Sequence, residues 1–454
     1  MRHQRLSCVS GAARDRAPQG ARCSGLCRLL GAASALILAL PPKNLLCKFS
    51  SQGAGIRCVR HSGVIRHCID RAAFDRTEHL WAVKAPGDGA YRLRQLPEVL
   101  PLCYGAGRKG KLQNFQNVLT EKTGAGACEP GFSLLLLAPN VTSSNVPEDV
   151  RDAVQGFEGS FKEYELKLGY ENFDYKEVLT ELLPTNVAVP MGYEVVGHLA
   201  HFNLLPEHWP HRHVIGQVLL DKARNVRTAV AKKSAVTDEF RTFDMEVIAG
   251  EADTVVELTE FGLKLQFDYR KVYWNSRLAS ERGRILTECQ QGEAFIDLTG
   301  GVGALALLCA RKGCKVVVND LNPAAAAAAK RNAQRNRLSL DVLQMDASLL
   351  LRSLLRGDLG PPEGLSPALL EVNTTRLCFN LPELALELFC SELRPLQDSG
   401  VEGISTAEEG SRRFCAYCYT FDYSEEQVLK RLAHLLNYLP QATKIRKVRL
   451  VAPR

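Results

Sequence analysis

Between Ala294 and Pro323 the chain reads AFIDLTGGVGALALLCARKGCKVVVNDLNP, and its apolar positions pass from strand to turn to helix and back to strand. Ala294 to Leu298 is a short continuous apolar stretch, as expected of a strand covered on both faces. Gly300-Gly301-Val302-Gly303 then reads as a turn, Ala304 to Arg311 as a short apolar helix, and Lys315 to Asn319 as a second buried strand closed by Asp320. The alternation continues beyond it. Leu377 to Phe379 predicts another apolar strand, followed by Asn380-Leu381-Pro382 and an amphipathic helix. From residue 293 onward the pattern is that of a parallel sheet flanked by helices.

Upstream the pattern is mixed. Residues 70 to 140 combine short apolar runs with Gly/Pro breaks (KAPGDGAYRLRQLPEVLPL, GFSLLLLAPN), which predicts a small α/β domain. NVTSSNVPEDV reads as a linker or helix start, and from about 150 to 290 helical stretches such as YKEVLTELLP alternate with strand-like ones such as RTAVAKK and DTVVELTEFGLKLQFDY. The expected fold class is therefore α/β: a Rossmann-type domain over 291–454, preceded by a mixed α/β middle domain over 145–290 and a small N-terminal domain over 63–140. DLGPPEGLSP, Asp358 to Pro367, reads as a surface loop.

Charge changes this picture at one end only. The 454 residues carry a net charge of +7, but residues 1 to 69 hold eleven Lys/Arg against one acid, Asp15, leaving 46 basic and 49 acidic residues elsewhere. A basic excess confined to the N-terminus gives no general case for nucleic acid, so any RNA contact must be local. Residues 1–60, rich in Arg, Ala and Ser, have the make-up of a mitochondrial presequence, with a secretory signal or an unstructured extension as the alternatives. The apolar run Leu29 to Leu40 is too short to span a bilayer, and no membrane partner is expected.

Six of the fifteen Cys fall in residues 1 to 69 and the others are scattered through apolar runs, which fits free thiols better than a disulfide framework. Cys415 and Cys418 form a CxxC without a second ligand pair, and five of the ten His crowd between His198 and His213 at irregular spacing with no Cys among them. Neither pattern suits a structural metal, and none is expected.

The glycine turn carries the first candidate chemistry. Gly300 and Gly303 let backbone approach a ligand closely, and an acid closing the next strand, Asp320, can accept both hydroxyls of a ribose. Gly301-x-Gly303-x-x-Ala306 also satisfies the dinucleotide fingerprint, so the turn alone leaves NAD, FAD and S-adenosylmethionine open. Asp297 before the turn, placed to hold a methionine ammonium, together with NDLNP and Asp346 in LQMD, favours S-adenosylmethionine as the cofactor. Asn380, stiffened by Pro382, suits a flat base with an amide-like nitrogen, although Glu383 replaces the aromatic residue that usually ends such a motif. Taken alone, Asn380 is equally an ordinary helix N-cap.

Several stretches together resemble the tRNA (guanine-N1)-methyltransferase family of archaea and eukaryotes, which modifies guanine 37 beside the anticodon. They are GYEVVGHLAHFNLLPEHWPHRHVIGQVLLDK, FRTFDMEVIAGE, FDYRKVYWNSRLASERGRI, the glycine turn, NDLNP and FNLP, and the likeness runs from about Ile65 to the C-terminus. The resemblance implies a small N-terminal tRNA-binding domain, a middle domain, a Rossmann-type methyltransferase domain, and a monomer acting on tRNA that carries G37. It also implies residue roles. Glu281 corresponds to the general base that removes the N1 proton, Arg241 to the cation facing the charge on O6, and Asn380 with Pro382 to the element that orients the base. Tyr273, Arg282, Asp297, Gly300 and Gly303 are expected to border the cofactor, with Asp320, Leu321, Asp346 and Ala347 lining adenosine.

Without the family, Glu281 with Arg277 or Arg284 reads as a solvated helical ion-pair set and Arg241 as a surface strand residue. Local basic patches, Arg212, Lys222, Arg224, Arg227, Lys232 and Lys233 in the middle region and Lys444, Arg446, Lys447 and Arg449 near the end, are the candidates for RNA contact. Two departures stand out. DLTGGVG lacks the aromatic-Ala pair that relatives place before the glycine, and the chain ends at RKVRLVAPR where the family continues into a further strand. The rival readings are the aminocarboxypropyl transferase of wybutosine synthesis, which draws on the same cofactor, a non-catalytic tRNA-binding module, and a nicotinamide oxidoreductase. The expected location is the mitochondrial matrix, with the nucleus and cytoplasm as further compartments.

Overall fold

A computed structural model of the chain describes residues 57–61, 64–106, 113, 115–120, 128–233, 242, 244–356, 362–369, 371–382, 384–385, 387–388, 391–392, 413–419 and 430. Residues 1–56, Arg241, Glu383, the Lys444 to Arg449 cluster and residues 431–454 lie outside the described residues.

In chain order the strands are β1 (Arg57–His61), β2 (Val64–Cys68), β3 (Arg76–Pro86), β4 (Val118–Thr120), β5 (Phe132–Leu136), β6 (Ser160–Leu168), β7 (Tyr193–Val196), β8 (Leu199–Phe202), β9 (Thr228–Lys232), β10 (Met245–Glu251), β11 (Val255–Glu260), β12 (Leu263–Asp268), β13 (Ala294–Asp297), β14 (Lys315–Asn319), β15 (Asp341–Leu343), β16 (Thr374–Phe379) and β17 (Arg413–Cys418). Among the described residues they form a sheet of order β4-β5-β3-β6, a six-stranded sheet β1-β2-β10-β9-β8-β7, the hairpin β11-β12, and a five-stranded sheet β15-β14-β13-β16-β17.

These sheets divide the chain differently from the sequence reading. The first unit does not close at residue 140. β6 runs antiparallel to β3 from Arg76↔Leu168 to Lys84↔Ser160, and Val150 and Val154 of the Glu148–Gly156 helix join the core that buries Val83, Leu135 and Leu137. Conversely β2 pairs with β10, so the hairpin β1-β2 belongs to the six-stranded sheet.

The hairpin β11-β12 is a wedge between the six-stranded and five-stranded sheets. Its inward positions Val256, Leu263, Leu265 and Phe267 share one core with Leu199 and Val230 on one side and with Leu307, Leu308, Ala325 and Ala328 on the other. The alanine run inside the helix Pro323–Arg335 lets that helix lie close. Two of its side chains one turn apart then satisfy the outer backbone edge of β12: Asn332 Oδ1 accepts from Gln266 N (2.8 Å), and Asn336 both accepts from Lys264 N (2.9 Å) and donates to Lys264 O (2.8 Å).

The five-stranded sheet is parallel throughout, as the alternating pattern predicts. β13, the helix Ala304–Arg311 and β14 fall where the apolar runs place them. Numbered along the chain the order is 3-2-1-4-5, so the sheet reverses direction between β13 and β16, and ligands of such sheets bind outside the carboxyl ends at that reversal. Asn319 fastens those ends. Wholly buried, it donates to Leu298 O (3.0 Å) and Met345 O (2.9 Å) and accepts from Met345 N (3.0 Å), joining the exits of β13, β14 and β15.

Asn319→Ala leaves buried backbone groups on two neighbouring strands without partners. We expect it to lower unfolding free energy by roughly 2–4 kcal/mol, at about 1–3 kcal/mol for each such group. A urea unfolding curve checks this, and a loss below about 1 kcal/mol contradicts a tie at this position.

Candidate active site

The glycine turn is closed by chemistry rather than by flexibility. Gly301 and Gly303 have φ of +58° and +83°, in the left-handed region that favours glycine, and Gly303 N bonds Gly300 O at 3.0 Å. A Cβ on Gly300 would stand 2.3 Å from Val318 Cγ2, so only hydrogen fits there. Asp320 holds the turn from the end of β14: its Oδ2 accepts from Gly301 N (2.8 Å) and its Oδ1 from Asn322 N (2.9 Å). Burial raises its pKa, opposed by those two amides. Each oxygen keeps a lone pair for a further donor, as a ribose hydroxyl requires.

Asp297, at the end of β13, is a buried acid short of partners. It is 4% exposed, and its Oδ1 has no hydrogen-bond partner. Burial, and then the neighbouring Asp320 charge, push its pKa up to about 7, while the Thr299 amide and Arg282 pull the other way. A buried carboxylate with an idle oxygen calls for a cation. An S-adenosylmethionine ammonium fits that demand, and the cradle at Gly300 and Gly303 fits its backbone-hugging binding.

Arg282, expected at the cofactor edge, is held in an ion pair. Its guanidinium makes a two-point bond with Glu260 at the tip of β11 (2.6 and 2.6 Å) and lies over Trp274, 4.9 Å from the ring centroid. It therefore reaches the site through its field on Asp297. Tyr273 is exposed between buried Val272 and Trp274, and Leu321 beside Asp320 is also exposed, so both are available as apolar walls. Asp346 caps a helix through Oδ1, accepting from Ser348 Oγ, Ser348 N (2.8 Å) and Leu349 N (3.4 Å), and Ala347 is buried at the start of that Ala347–Arg356 helix. These bonds lower the Asp346 pKa, Ser348 Oγ most.

Across the reversal, Asn380 follows β16 directly. Its backbone N donates to Thr299 Oγ1 at 3.0 Å, tying the exit of β16 to that of β13, while its carboxamide has no hydrogen-bond partner among the described residues. The next helical turn opens on Leu381 O, which accepts from Leu384 N (2.9 Å) and Ala385 N (2.8 Å). Pro382, half-buried, sits inside that turn and keeps the loop short.

Glu281 lies in the first turn of the Ala279–Glu288 helix. The bland reading of a helical ion pair is right in its partner and wrong in its setting. Arg284 does bind Glu281, at 2.7 to 3.0 Å, but Glu281 is only 8% exposed, and Tyr419 Oη donates to its Oε1 at 2.9 Å. Arg284 also reaches Glu288 (2.5 Å), whose carboxylate accepts from Tyr417 Oη (2.9 Å). Arg241 lies outside the described residues. Sequence reasoning missed Thr299, Asn319, Glu260 and Tyr419. Asn319 and Thr299 stand inside quoted motifs, whereas nothing local marks the other two.

The histidine cluster is structural. His208 bridges Leu205 N (3.2 Å) and Ala188 O (2.9 Å), His213 bonds Ile248 O (2.9 Å) and stacks on His67, and His198 lies 3.3 Å from Asp253 O. Cys415 and Cys418, three apart on β17, point to opposite sheet faces, and the described cysteines carry free thiols. Among the described residues no helix is long and apolar enough to cross a membrane, and no group of three or more His, Cys, Asp and Glu could hold a metal. Much of the middle basic patch is already engaged. Arg212 bonds Glu246 (3.0 Å), Lys222 bonds Tyr170 O (2.5 Å), and Arg227 and Lys233 lie 3.4 and 3.7 Å from Glu251 and Asp244.

Residues 175–254 match the family model described as the TYW2 N-terminal domain, and residues 254–352 match the TRM5/TYW2 methyltransferase domain. The second match begins ahead of β11, which places the hairpin and the Glu281 helix with the five-stranded sheet rather than with the middle region ending at 290. A Danio rerio tRNA (guanine(37)-N(1))-methyltransferase is 33% identical over 402 residues, covering 85% of this chain and 79% of that protein. Its Ciona intestinalis counterpart is 31% identical over 400 residues, covering 85% and 84%. The crystal structure of wild-type Trm5b from Pyrococcus abyssi shares the fold, with a TM-score of 0.50 at 22% identity over 79% of this chain and 90% of that one. At this identity and coverage, the chain belongs to the tRNA (guanine(37)-N(1))-methyltransferase family.

Proposed function

We propose that this chain transfers a methyl group from S-adenosylmethionine to N1 of guanine 37 in the tRNA anticodon loop, acting as a monomer. We further propose the mitochondrial matrix as its main compartment, with the nucleus and cytoplasm besides, on the strength of the arginine-rich, acid-poor residues 1 to 69. One observation carries the chemistry: the buried, half-unpartnered Asp297 carboxylate stands at the sheet's reversal, beside the glycine turn and joined through Thr299 to Asn380.

When bound, the cofactor supplies a sulfonium methyl to a nucleophile. In this reading Asp297 holds its ammonium, Asp320 its ribose, and Tyr273, Leu321 and Ala347 its apolar flanks. Guanine N1 carries a proton at neutral pH and is a nucleophile only once that proton leaves. Glu281 takes it, Arg241 faces the negative charge that then gathers on O6, and Asn380, held by Pro382 and Thr299, orients the base edge. A base inside a folded anticodon loop must be splayed out to reach these groups.

Labelled cofactor separates this reading from its rivals. Methyl label is expected in tRNA with G at position 37 and not in tRNA with A there. Label entering from the aminocarboxypropyl chain, or equal methyl label in both tRNAs, rejects the reading. Glu281→Gln should keep cofactor affinity within about twofold in equilibrium dialysis while single-turnover methylation drops by roughly 10²-fold or more. Loss of cofactor binding would instead make Glu281 a structural residue.

Asp297 gives the pH dependence. A carboxyl whose pKa is raised by folding favours the folded state while protonated and disfavours it once ionised, so cofactor-free stability falls as pH rises from the usual carboxylate range to about 7. Asp297→Asn removes that penalty and should raise the melting temperature of the cofactor-free protein at about pH 8 while weakening cofactor binding. For the parent chain, affinity should climb several-fold between about pH 5.5 and 7 as Asp297 ionises to meet the ammonium, and the Asn variant should show a flat profile, read by calorimetry.

A further inference from the structure

The charged groups around Glu281 raise a question that the proton-transfer reading leaves open. A general base must present a carboxylate in one orientation while a large, flexible substrate is splayed into place. A glutamate has three side-chain torsions, and in the first turn of a helix nothing in its own backbone fixes them. Among the described residues, two donors from different elements hold the carboxylate. Arg284, one turn along the same helix, contacts both oxygens through Nε (3.0 and 2.9 Å), and its Nη2 reaches Oε1 (2.7 Å). Tyr419 approaches from the sheet, with Oη on Oε1 at 2.9 Å.

Tyr419 is itself held at both ends. It follows β17, and its backbone N donates to Phe379 O at 3.1 Å. Phe379 is wholly buried at the end of β16 and immediately precedes Asn380. A single residue thus links the carbonyl next to Asn380 with the carboxylate of Glu281. Burial, and then the neighbouring Cys378 and Glu281, raise the pKa of its phenol, so the hydroxyl stays protonated and donates. Arg284 is anchored likewise by Glu288 at 2.5 Å, and Tyr417 Oη in turn joins Glu288 to Arg376, which makes a two-point bond with Glu293. A purely structural ion pair needs no donor from β17, the strand that completes the sheet beside β16.

We propose that Tyr419, with Arg284, is a positioning residue for methyl transfer: it fixes the Glu281 carboxylate at a set distance from the Asn380 strand end, so that base and substrate-orienting group form one rigid unit. The inference rests on Glu281 acting as the base. It predicts a cost in the chemical step rather than in binding. The Tyr419→Phe change removes one oxygen and keeps the ring.

Single-turnover methylation and equilibrium binding of S-adenosylmethionine and G37 tRNA should be measured on the parent, Tyr419→Phe, Glu281→Gln and the double variant. Tyr419→Phe is expected to slow the single-turnover step roughly tenfold or more, with both dissociation constants within about twofold. On the Glu281→Gln background the same change should cost less than about twofold, because the group being positioned is gone. An unchanged rate, a loss confined to binding, or an equal loss on both backgrounds overturns the proposal. Failure of the Glu281 reading is separately visible as wild-type turnover by Glu281→Gln. Should Tyr419→Phe fold poorly by circular dichroism, Arg284→Gln takes its place, and the same dependence on Glu281 is required of it.

Discussion

The carboxyl ends of three parallel strands are held together by one buried side chain, and the arrangement of the site follows from it. Asn319 ties Leu298, at the exit of β13, to Met345, after β15, from the end of β14 between them. A parallel sheet sets the spacing of its strands through the ladder, but the ladder stops where the loops begin. Beyond that point each loop is free unless something crosses between them. Asn319 does so on one side of the reversal and Thr299, accepting from Asn380 N, does so on the other. With those two ties in place the glycine turn, Asp297, Asp320 and Asn380 stand in fixed relation.

Two kinds of buried acid occupy this frame, and their surroundings differ in a way that sorts their roles. Asp297 and Asp320 are neighbours of like charge, both with raised pKa, and Asp297 has an oxygen with no donor. Such a pair is costly without a ligand and is relieved by a cation and hydroxyls. Glu281 is the reverse: a guanidinium and a phenol already satisfy it. Oversupply of donors to Asp297 would make it a poor ammonium site, and undersupply at Glu281 would leave a base free to swing. The two carboxylates thus differ in surroundings: Asp297 is short of donors and Glu281 is well supplied with them.

What the sequence made legible was local. β13, the glycine turn, the following helix and β14 fall where the apolar runs put them, because a strand buried on both faces and a helix starting at glycine are each encoded within a few residues. Domain edges were not legible in this way. β6 pairs with β3 across the whole of the first unit, and β2 pairs with β10 across it, so no local signal marks either boundary. At the site, Asp297 ends β13, Asp320 follows β14 and Asn380 follows β16. Arg282 and Asp346 do not behave as bare ligands, since Glu260 and the Ala347–Arg356 helix start engage them, and both partners are set by packing and capping rather than by motif. Tyr419 was invisible for the same reason: its significance comes from the strand beside it.

The hairpin β11-β12 couples the methyltransferase sheet to the six-stranded one. Its flat face is shared with β8 and β9, its edge is stitched to Asn332 and Asn336, and its tip carries Glu260 to Arg282 and Phe261 to the face of Gly283, where an added Cβ would stand 3.2 Å from the ring. Arg282 and Gly283 directly follow Glu281. Any shift of the six-stranded sheet relative to the five-stranded one therefore bears on the helix that carries Glu281. Arg212, Lys222, Arg227 and Lys233 each have a partner within the protein. The hairpin thus joins the helix that carries Glu281 to both sheets through a shared core, a side-chain-paired edge and a two-point ion pair.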